Sequence, residues 1–426
     1  MHAKRQACGL YSILNIFIRN FIPLKKIARM KIRKITEKFI EGILFSSSTV
    51  TTIAVLFIVF FLFKSGIGLF NQNPVDKAYA IAINANNPVN DLTSKKIKDI
   101  FNGDITNWKE LGGKNQDIQL LTLDQLSSKF TEEELGANFE HIPQCVDKYV
   151  SQNENVIAYF DKKYFPSDFH GKMVELPNIS ITDFLLGKEW YPTTVPTAQF
   201  GVLPLILGTL WVTFCAILLA LPIGLITAIY MAEIANERTR RMLKPVIELL
   251  AGIPSVVYGF FGLVVLVPFL QRLFLLPVGE TALAGSLILA IMALPTIITI
   301  SEDAIRTTPV ALKEAGLALG ASHWQSILRI ILPYARSGIM AAFILGIGRA
   351  VGETMAVLMV TGNAAVIPHT LLEPVRTIPA TIAAELGEAP FGGTHFQALF
   401  ALGIILFIIT FVFNSLVEIV KKKEVK

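Results

Sequence analysis

Six stretches of this sequence are strongly apolar and almost free of charged residues. A helix of roughly 20 apolar residues crosses a bilayer, and every stretch reaches that length. They are residues 42–63, 190–232, 249–271, 281–301, 337–361 and 396–417. The second is too long for one helix, and Pro204 marks the expected start of its span. Only 17% of the residues are charged, against about 25% in soluble domains. The sequence therefore predicts an all-α polytopic membrane protein with six transmembrane helices.

Lysine and arginine are concentrated on one predicted side of the membrane. Residues 1–41 hold ten of them, and the loops after the second and fourth spans and the tail 421–426 hold four each. Outside the long insert between the first two spans, the opposite side has only Lys64, Arg272 and Arg376. Cytoplasmic loops carry the positive excess. We therefore expect a basic cytoplasmic N-terminal arm (1–41), a basic cytoplasmic tail and both termini in the cytoplasm.

Within the arm, the apolar patch Leu10–Ile22 does not predict a cleavable signal. It is short, Arg19 interrupts it, and no small-residue cleavage site follows. Two interpretations stay open: an amphipathic surface helix, or an upstream extension with Met30 as the true start. The first transmembrane helix is assigned to residues 42–70.

Residues 71–198 form a polar insert on the extracytoplasmic side. The segment has 12 Lys, no Arg and 18 Asp plus Glu, so its net charge is −6. Alternating apolar residues predict strands at Tyr79–Ile83, Ile118–Leu123 and Val156–Phe160. Thr93 is a candidate N-cap of an intervening helix. These patterns indicate a small α/β domain inserted between the first two spans.

No cofactor, metal or catalytic set is predicted. Cys8, Cys145 and Cys215 form no CxxC pair and indicate no disulfide framework. The histidines are scattered and none lies in mid-span, which disfavours an intramembrane enzyme. No Gly-Lys pair completes a phosphate-binding P-loop. The chain is thus not expected to hydrolyse ATP, and a partner must supply the energy for any active transport.

The cytoplasmic loop 303–335 predicts a helix–turn–helix. Pro309 suits a helix start and Gly320 suits its C-terminal stop. Ser322 and Gln325 have the spacing of a capping box for a second helix. Three apolar residues of the loop need a surface to bury against: Leu317, Leu319 and Trp324. That surface is either a partner protein or the bilayer.

The loop resembles the EAA loop of bacterial ABC importer permeases. Glu314-Ala315-Gly316 is followed at the expected spacing by Gly320 and then by Ile330-Ile331-Leu332-Pro333. Gly316 replaces the usual third-position alanine. The resemblance implies that this loop docks on a separate ATPase. The residues implied in coupling are Glu314, Ala315, Gly316, Gly320, Leu332 and Pro333.

Longer segments resemble the PstC family, the permease subunits of phosphate ABC importers. They are GIPSVVYGFFGLVVLVPF (252–269), SEDAIRTTP (301–309), GRAVGETMAVLMVTGN (348–363) and RTIPATIAAELGEA (376–389). The resemblance implies a type I ABC importer permease fold, with the permease domain at 199–420, in a bacterial cytoplasmic membrane. It also implies inorganic phosphate as cargo, with a PstA-type sister permease, a PstB-type ATPase dimer and a PstS-type binding protein as partners. No nucleic acid is implied.

Arg349 and Glu353 are charges inside a predicted span. Residues 337–361 centre on Arg349, which places it near mid-membrane, where a charge costs at least ~2.5–3.5 kcal/mol. Four residues apart on one helix, the two side chains are expected to pair. Two interpretations follow. The pair is either a structural lock, or Arg349 is a cation on an anion pathway and Glu353 weakens its hold on the anion.

Small residues and prolines accompany this pair. Gly346, Gly348 and Gly352 are expected to let neighbouring helices approach closely. Three prolines within the third and fourth spans are expected to bend them: Pro254, Pro268 and Pro295.

The insert itself resembles part of a PstS-type phosphate-binding protein, chiefly over residues 82–113. That family's ligand signature, an Arg followed by Ser-Gly-Thr, is missing after the strand at 118–123. Asp124 occupies the helix start where an anion would approach. We therefore expect a docking or scaffold role, with Trp108 and Phe101 as core residues. Two other functions stay open: a permease for molybdate or sulfate, and a receptor that senses through the insert.

Overall fold

A computed structural model describes residues 38, 40–136 and 139–424. Among them, six helices are long and apolar enough to span a membrane, which confirms the prediction. They are Ile40–Asn71 (α1), Leu203–Ile234, Ser255–Phe274, Ala282–Arg306, His323–Val351 and Thr394–Ser415. The predictions for the N-terminal arm through residue 37, including the 10–22 patch, Met30 and Cys8, lie outside the described residues, as do residues 425 and 426.

The insert is an α/β unit on a four-stranded sheet. Its elements are β1 (Tyr79–Ile83), α2 (Ser94–Asn102), β2 (Gln119–Leu121), α3 (Leu123–Lys129), α4 (Glu132–Leu135), α5 (Ile142–Gln152), β3 (Val156–Asp161) and β4 (Lys172–Met173). The strand order is β2-β3-β1-β4, with β1 antiparallel to both neighbours and β2 parallel to β3. The three predicted strands are confirmed, although β2 is shorter than expected. The Thr93 hydroxyl caps α2 by accepting the Lys96 N–H.

Alternate residues of β1 and β3 enter two different cores. Ile81, Ile83 and Ile157 pack with Trp108 on one face. The intervening residues, Ala82, Ala158 and Phe160 among them, join α5 on the other face. This is the two-residue period of a strand covered on both sides. Trp108 is fully buried and Phe101 packs against its cluster, so both are core residues as predicted.

The end of the insert is fixed to the membrane bundle by a shared apolar core. Here α6 (Ile181–Leu186) precedes a short hairpin of β5 (Trp190–Tyr191) and β6 (Gln199–Phe200). Phe184, Trp190 and Phe200 pack with Leu205 and Leu402 of two spans. The insert is therefore packed on the bundle and is not merely tethered by its linkers.

The part of the chain at residues 203–424 is mainly helical. Its helices are α7 (Leu203–Ile229), α8 (Glu237–Gly252), α9 (Ser255–Phe261), α10 (Val267–Phe274), α11 (Ala282–Arg306), α12 (Val310–Ala318), α13 (His323–Ser326), α14 (Leu332–Val351), α15 (Met355–Val360), α16 (Ile378–Glu385) and α17 (Thr394–Glu424). Three π-helical segments interrupt the spans: Tyr230–Ile234, Gly262–Leu266 and Ile327–Ile331. α11 is the most buried span, with 61% of its apolar window inside the protein. It therefore lies at the centre of the bundle.

Two predicted spans differ from the structure. The third begins at Ser255 and not at residue 249, because Pro254 caps α9 and α8 ends before it at Gly252. The fifth does not run through to residue 361. Its helix starts in the loop 303–335 and ends at Val351, and α15 follows after a break. Pro295 lies within α11 as expected, and Pro268 lies in the first turn of α10, directly after a π-helical segment.

Candidate translocation and coupling sites

Arg349 lies near the C-terminal end of α14 and reaches across to α11. Its Nη1 donates a hydrogen bond to Thr296 Oγ1 at 3.3 Å. Thr296 follows Pro295, close to the midpoint of the 25-residue helix α11. This contact places the guanidinium at the level of the middle of the most buried span. Sequence reasoning did not find Thr296, and its only sequence signal is the adjacent proline.

The expected pair of Arg349 with Glu353 is wrong. Helix α14 ends at Val351, so the two residues are not on one continuous helical face. Glu353 instead accepts the backbone N–H of Ala356 at 3.5 Å in the first turn of α15. Within the described residues, Arg349 has no carboxylate at ion-pair distance. Arg349 is half-buried, and its only hydrogen-bond partner among these residues is a neutral hydroxyl.

The three glycines near Arg349 have different surroundings. A Cβ on Gly346 would lie 2.9 Å from an Ile297 side-chain carbon, so Gly346 serves close packing of α14 on α11 as predicted. A Cβ on Gly348 would meet nothing within 4 Å, and Gly352 faces only its own helix carbonyl at 3.5 Å. The packing expectation is therefore wrong for Gly348 and Gly352. Gly348 lies on an open surface directly beside Arg349 in sequence.

The loop 303–335 has the predicted helix–turn–helix form. Pro309 precedes α12, which spans Val310–Ala318. Gly320 has φ of +85°, a left-handed conformation that glycine adopts without strain. Ser322 and Gln325 form both hydrogen bonds of the predicted capping box at α13. These local signals were sufficient because each acts within a few residues of chain.

The coupling residues implied by resemblance divide into an exposed set and a packed set. Glu314, Ala315 and Gly320 are exposed, and Gly316 is buried. A Cβ on Gly316 would lie 2.3 Å from Ile330 Cδ1, so glycine at the usual alanine position makes room for this isoleucine. Leu332 and Pro333 begin α14. The three apolar residues of the loop that were expected to need a surface are exposed: Leu317 is 48% exposed, Leu319 90% and Trp324 59%.

A buried carboxylate near this loop was not found from the sequence. Glu302 on α11 is only 1% exposed and is surrounded by three cations. Arg240 Nε lies 3.0 Å from it, Lys244 Nζ 3.3 Å and Arg306 Nη1 3.6 Å. The cluster fixes α8 to α11 at the end of the bundle that carries the loop 303–335. The sequence signal that could have pointed to this cluster is the position of Glu302 directly after the uncharged run 281–301.

A second missed cluster centres on Glu385, outside the six spans. Its carboxylate accepts hydrogen bonds from Trp190 Nε1 at 3.0 Å and His395 Nε2 at 2.9 Å, and pairs with Arg376 Nη2 at 2.8 Å. Burial acts to raise the pKa of Glu385, but the His395 hydrogen bond and the Arg376 charge outweigh it and lower this pKa below its usual value. The cluster joins the insert's last hairpin to α16 and the start of α17.

The start of α3, where an anion would approach a helix, holds an acidic residue. Thr122, its N-cap residue, makes no side-chain cap hydrogen bond, and Asp124 occupies the first turn. Among the described residues, no group of three or more His, Cys, Asp or Glu side chains is arranged to hold a metal ion. Cys145 and Cys215 are free thiols.

Comparison with known proteins agrees with this architecture. Residues 220–426 match the family described as binding-protein-dependent transport system inner membrane component, and residues 63–208 match a PBP superfamily domain. A probable ABC transporter permease of Bacillus subtilis is 40% identical over 58% of this chain and 79% of its own. The phosphate transport system permease protein PstC of Mesorhizobium japonicum is 43% identical over 54% of this chain and 74% of its own. A solved structure of the MetNI methionine transporter is 20% identical and covers 51% of this chain and 93% of its own, with a TM-score of 0.42.

The six spans and these matches define the membrane component of a binding-protein-dependent transporter. More narrowly, the chain belongs to the PstC-type permease family, and it carries an additional insert of the PBP superfamily. It is therefore a multi-pass membrane protein that works with other subunits of an ABC transporter.

Proposed function

We propose that this chain is a permease subunit of an ATP-driven importer of inorganic phosphate. It forms half of the translocation pathway, with a PstA-type sister permease as the other half. A PstB-type ATPase dimer drives it through the loop 303–335, and a PstS-type binding protein delivers the anion. The PstC relative, named as a phosphate transport permease, supports this cargo. The observation that carries the mechanism is the half-buried Arg349 guanidinium at the level of mid-span, which pairs with no carboxylate among residues 40–136 and 139–424.

A guanidinium in this setting suits a phosphate path. Phosphate is an anion at neutral pH, and the planar fork of an arginine binds two of its oxygens at once. Because Thr296 is neutral, the positive charge of Arg349 stays available to the anion. Glu353, four residues further along at the helix break, is proposed to lie on the same pathway. Its negative charge there would limit how tightly the anion is held, since transport requires release as well as binding.

The proposed orientation places the insert outside the cell and the coupling loop inside. Three spans, beginning with α7, α9 and α11, separate the insert from the loop, so the two lie on opposite sides of the membrane. With six spans, both termini lie on the side of the loop. The proposed boundaries are the first transmembrane segment at 42–70, within α1, the insert at 71–198 and the permease domain at 199–420. The exposed Leu319 and Trp324 support docking of the ATPase on the loop.

For the insert we propose a docking or scaffold role without a ligand site. Its attachment through Phe184, Trp190 and Phe200 supports a fixed position on the bundle. Asp124 at the start of α3 opposes anion binding there.

Uptake by the reconstituted transporter tests the proposed function. Proteoliposomes containing this chain, its sister permease, the ATPase and the binding protein should take up radiolabelled phosphate only with ATP inside. A tenfold excess of unlabelled phosphate should abolish the signal, and the same excess of sulfate or molybdate should leave it. Absence of labelled-phosphate uptake, together with ATP-dependent uptake of labelled molybdate or sulfate, would instead establish the other oxyanion as cargo.

A further inference from the structure

The coupling helix α12 has a side-chain connection to a span that is not adjacent to it in the chain. Lys313 on α12 forms an ion pair with Glu233, 80 residues earlier. Glu233 lies in the π-helical segment Tyr230–Ile234, which continues α7 at its end nearest the loop. Along the chain, α12 follows α11 and leads through α13 and the segment Ile327–Ile331 into α14. The ion pair therefore gives α12 a direct connection to α7 that the backbone does not provide.

Both residues of the pair are largely buried. The Glu233 side chain is 7% exposed and that of Lys313 is 23% exposed. A buried ion pair contributes little stability compared with apolar residues of the same size, whereas loss of one partner leaves an unpaired charge. What such a pair does provide is a fixed relative position of two elements. It lies beside a core cluster of Ala228, Ile305 and Ile327 that packs the ends of α7, α11 and the π-helical segment before α14.

The other contact of α12 also leads to a π-helical segment. Gly316 packs against Ile330, which belongs to the segment Ile327–Ile331 before α14. A π-helical turn contains one extra residue and is frequent at functional sites. The ion pair and this packing contact thus both lead from α12 to such a turn. Along α7, Ile217 packs in one cluster with Ala350, the residue next to Arg349.

We propose that the Lys313–Glu233 pair transmits the movement of the coupling helix to α7, so that both residues are positioning residues for coupling. This inference rests on the proposed function, in which an ATPase moves α12. The backbone carries a movement of α12 through α13 into α14, whereas the ion pair connects α12 to the end of α7. Loss of the pair should therefore leave the ATPase attached and active while transport falls behind hydrolysis.

The test uses the complete transporter in proteoliposomes. Glu233→Gln and Lys313→Gln should still co-purify with the ATPase, but phosphate transported per ATP hydrolysed should fall roughly fivefold, in the range for residues that carry coupling. The charge swap, Glu233→Lys with Lys313→Glu, should restore this ratio to within about twofold of the wild type. Glu237→Gln is the matched control, because it removes an exposed carboxylate close to Glu233 in the chain. It should not change the ratio.

Several outcomes would overturn the inference. An unchanged ratio in both single variants would show that α7 does not depend on the pair. Loss of assembly in the single variants, with or without recovery in the swap, would make the pair a folding contact. Glu314→Lys separates this inference from the proposed function. If Glu314→Lys uncouples the ATPase while the pair variants behave normally, only the inference fails. If Glu314→Lys also transports normally, coupling through this loop fails as well.

Discussion

Replacement of Arg349 by glutamine tests the translocation site most directly. Glutamine keeps hydrogen-bonding capacity and removes the charge. The structural loss is small, because the one hydrogen bond of Arg349 to the described part of the chain is the 3.3 Å contact with Thr296. One such bond contributes about 1 kcal/mol. No ion pair is broken, so no opposite charge is left unpaired and the assembly should remain intact.

The loss to an anion in the pathway should be far larger. A unit negative charge about 4 Å from the guanidinium gains about 4 kcal/mol at an effective dielectric constant near 20. Each 1.36 kcal/mol corresponds to a factor of ten. Arg349→Gln should therefore reduce phosphate uptake on the order of a thousandfold. Thr296→Val removes only the hydroxyl that orients Arg349 and should reduce uptake by a smaller factor, roughly three- to tenfold for one hydrogen bond.

The assay is initial uptake of labelled phosphate into proteoliposomes, normalised to the amount of assembled transporter. Arg272→Gln is the matched control, because Arg272 is an exposed arginine on α10 and lies outside the proposed pathway. Combining Arg349→Gln with Glu353→Gln should not restore uptake, since the two side chains are not paired.

Two results would refute this reasoning. If Arg349→Gln takes up phosphate within a few-fold of the wild-type rate, Arg349 does not bind the anion in the pathway. Recovery of uptake in the double variant would show that the two charges act as a structural pair despite the helix break between them.

Three further changes have defined outcomes. Gly320→Val puts a β-branched residue at φ of +85°, which costs on the order of 1–3 kcal/mol. It should uncouple ATP hydrolysis from uptake, as measured by the transport-to-hydrolysis ratio. Gly316→Ala should lower that ratio because its Cβ would clash with Ile330, and Ile330→Val, which removes Cδ1, should restore it. If adding Ile330→Val to Gly316→Ala lowers the transport-to-hydrolysis ratio further, the proposed clash with Ile330 is wrong. The pKa of Glu385 in the folded protein is lower than its usual value of 4.5. The ionised carboxylate therefore stabilises the folded protein above pH 4.5, and this stabilisation is lost as the pH falls through the folded-state pKa. Acid unfolding of the solubilised protein is measured by tryptophan fluorescence. The part of the pH dependence of stability that comes from Glu385 should be absent in Glu385→Gln.

The sequence by itself determined the features that depend on neighbouring residues. Long uncharged runs predicted six spans. Lipid offers no hydrogen-bonding partners, and a helix satisfies all backbone polar groups within one segment. Alternation predicted the strands of the insert. The spacing of Ser322 and Gln325 predicted the capping box, and Gly320 predicted the left-handed turn, because each involves only a few consecutive residues.

Only the tertiary structure decided which distant side chains meet. The sequence suggested Glu353 as the partner of Arg349, but a helix break after Val351 separates them, and Thr296 from another helix makes the contact. The pairing of Lys313 with Glu233 joins residues 80 positions apart. No period or spacing encodes such contacts, because they depend on how whole helices pack. The sequence therefore determined where helices and turns form, and the packing of the bundle determined which charges lie together.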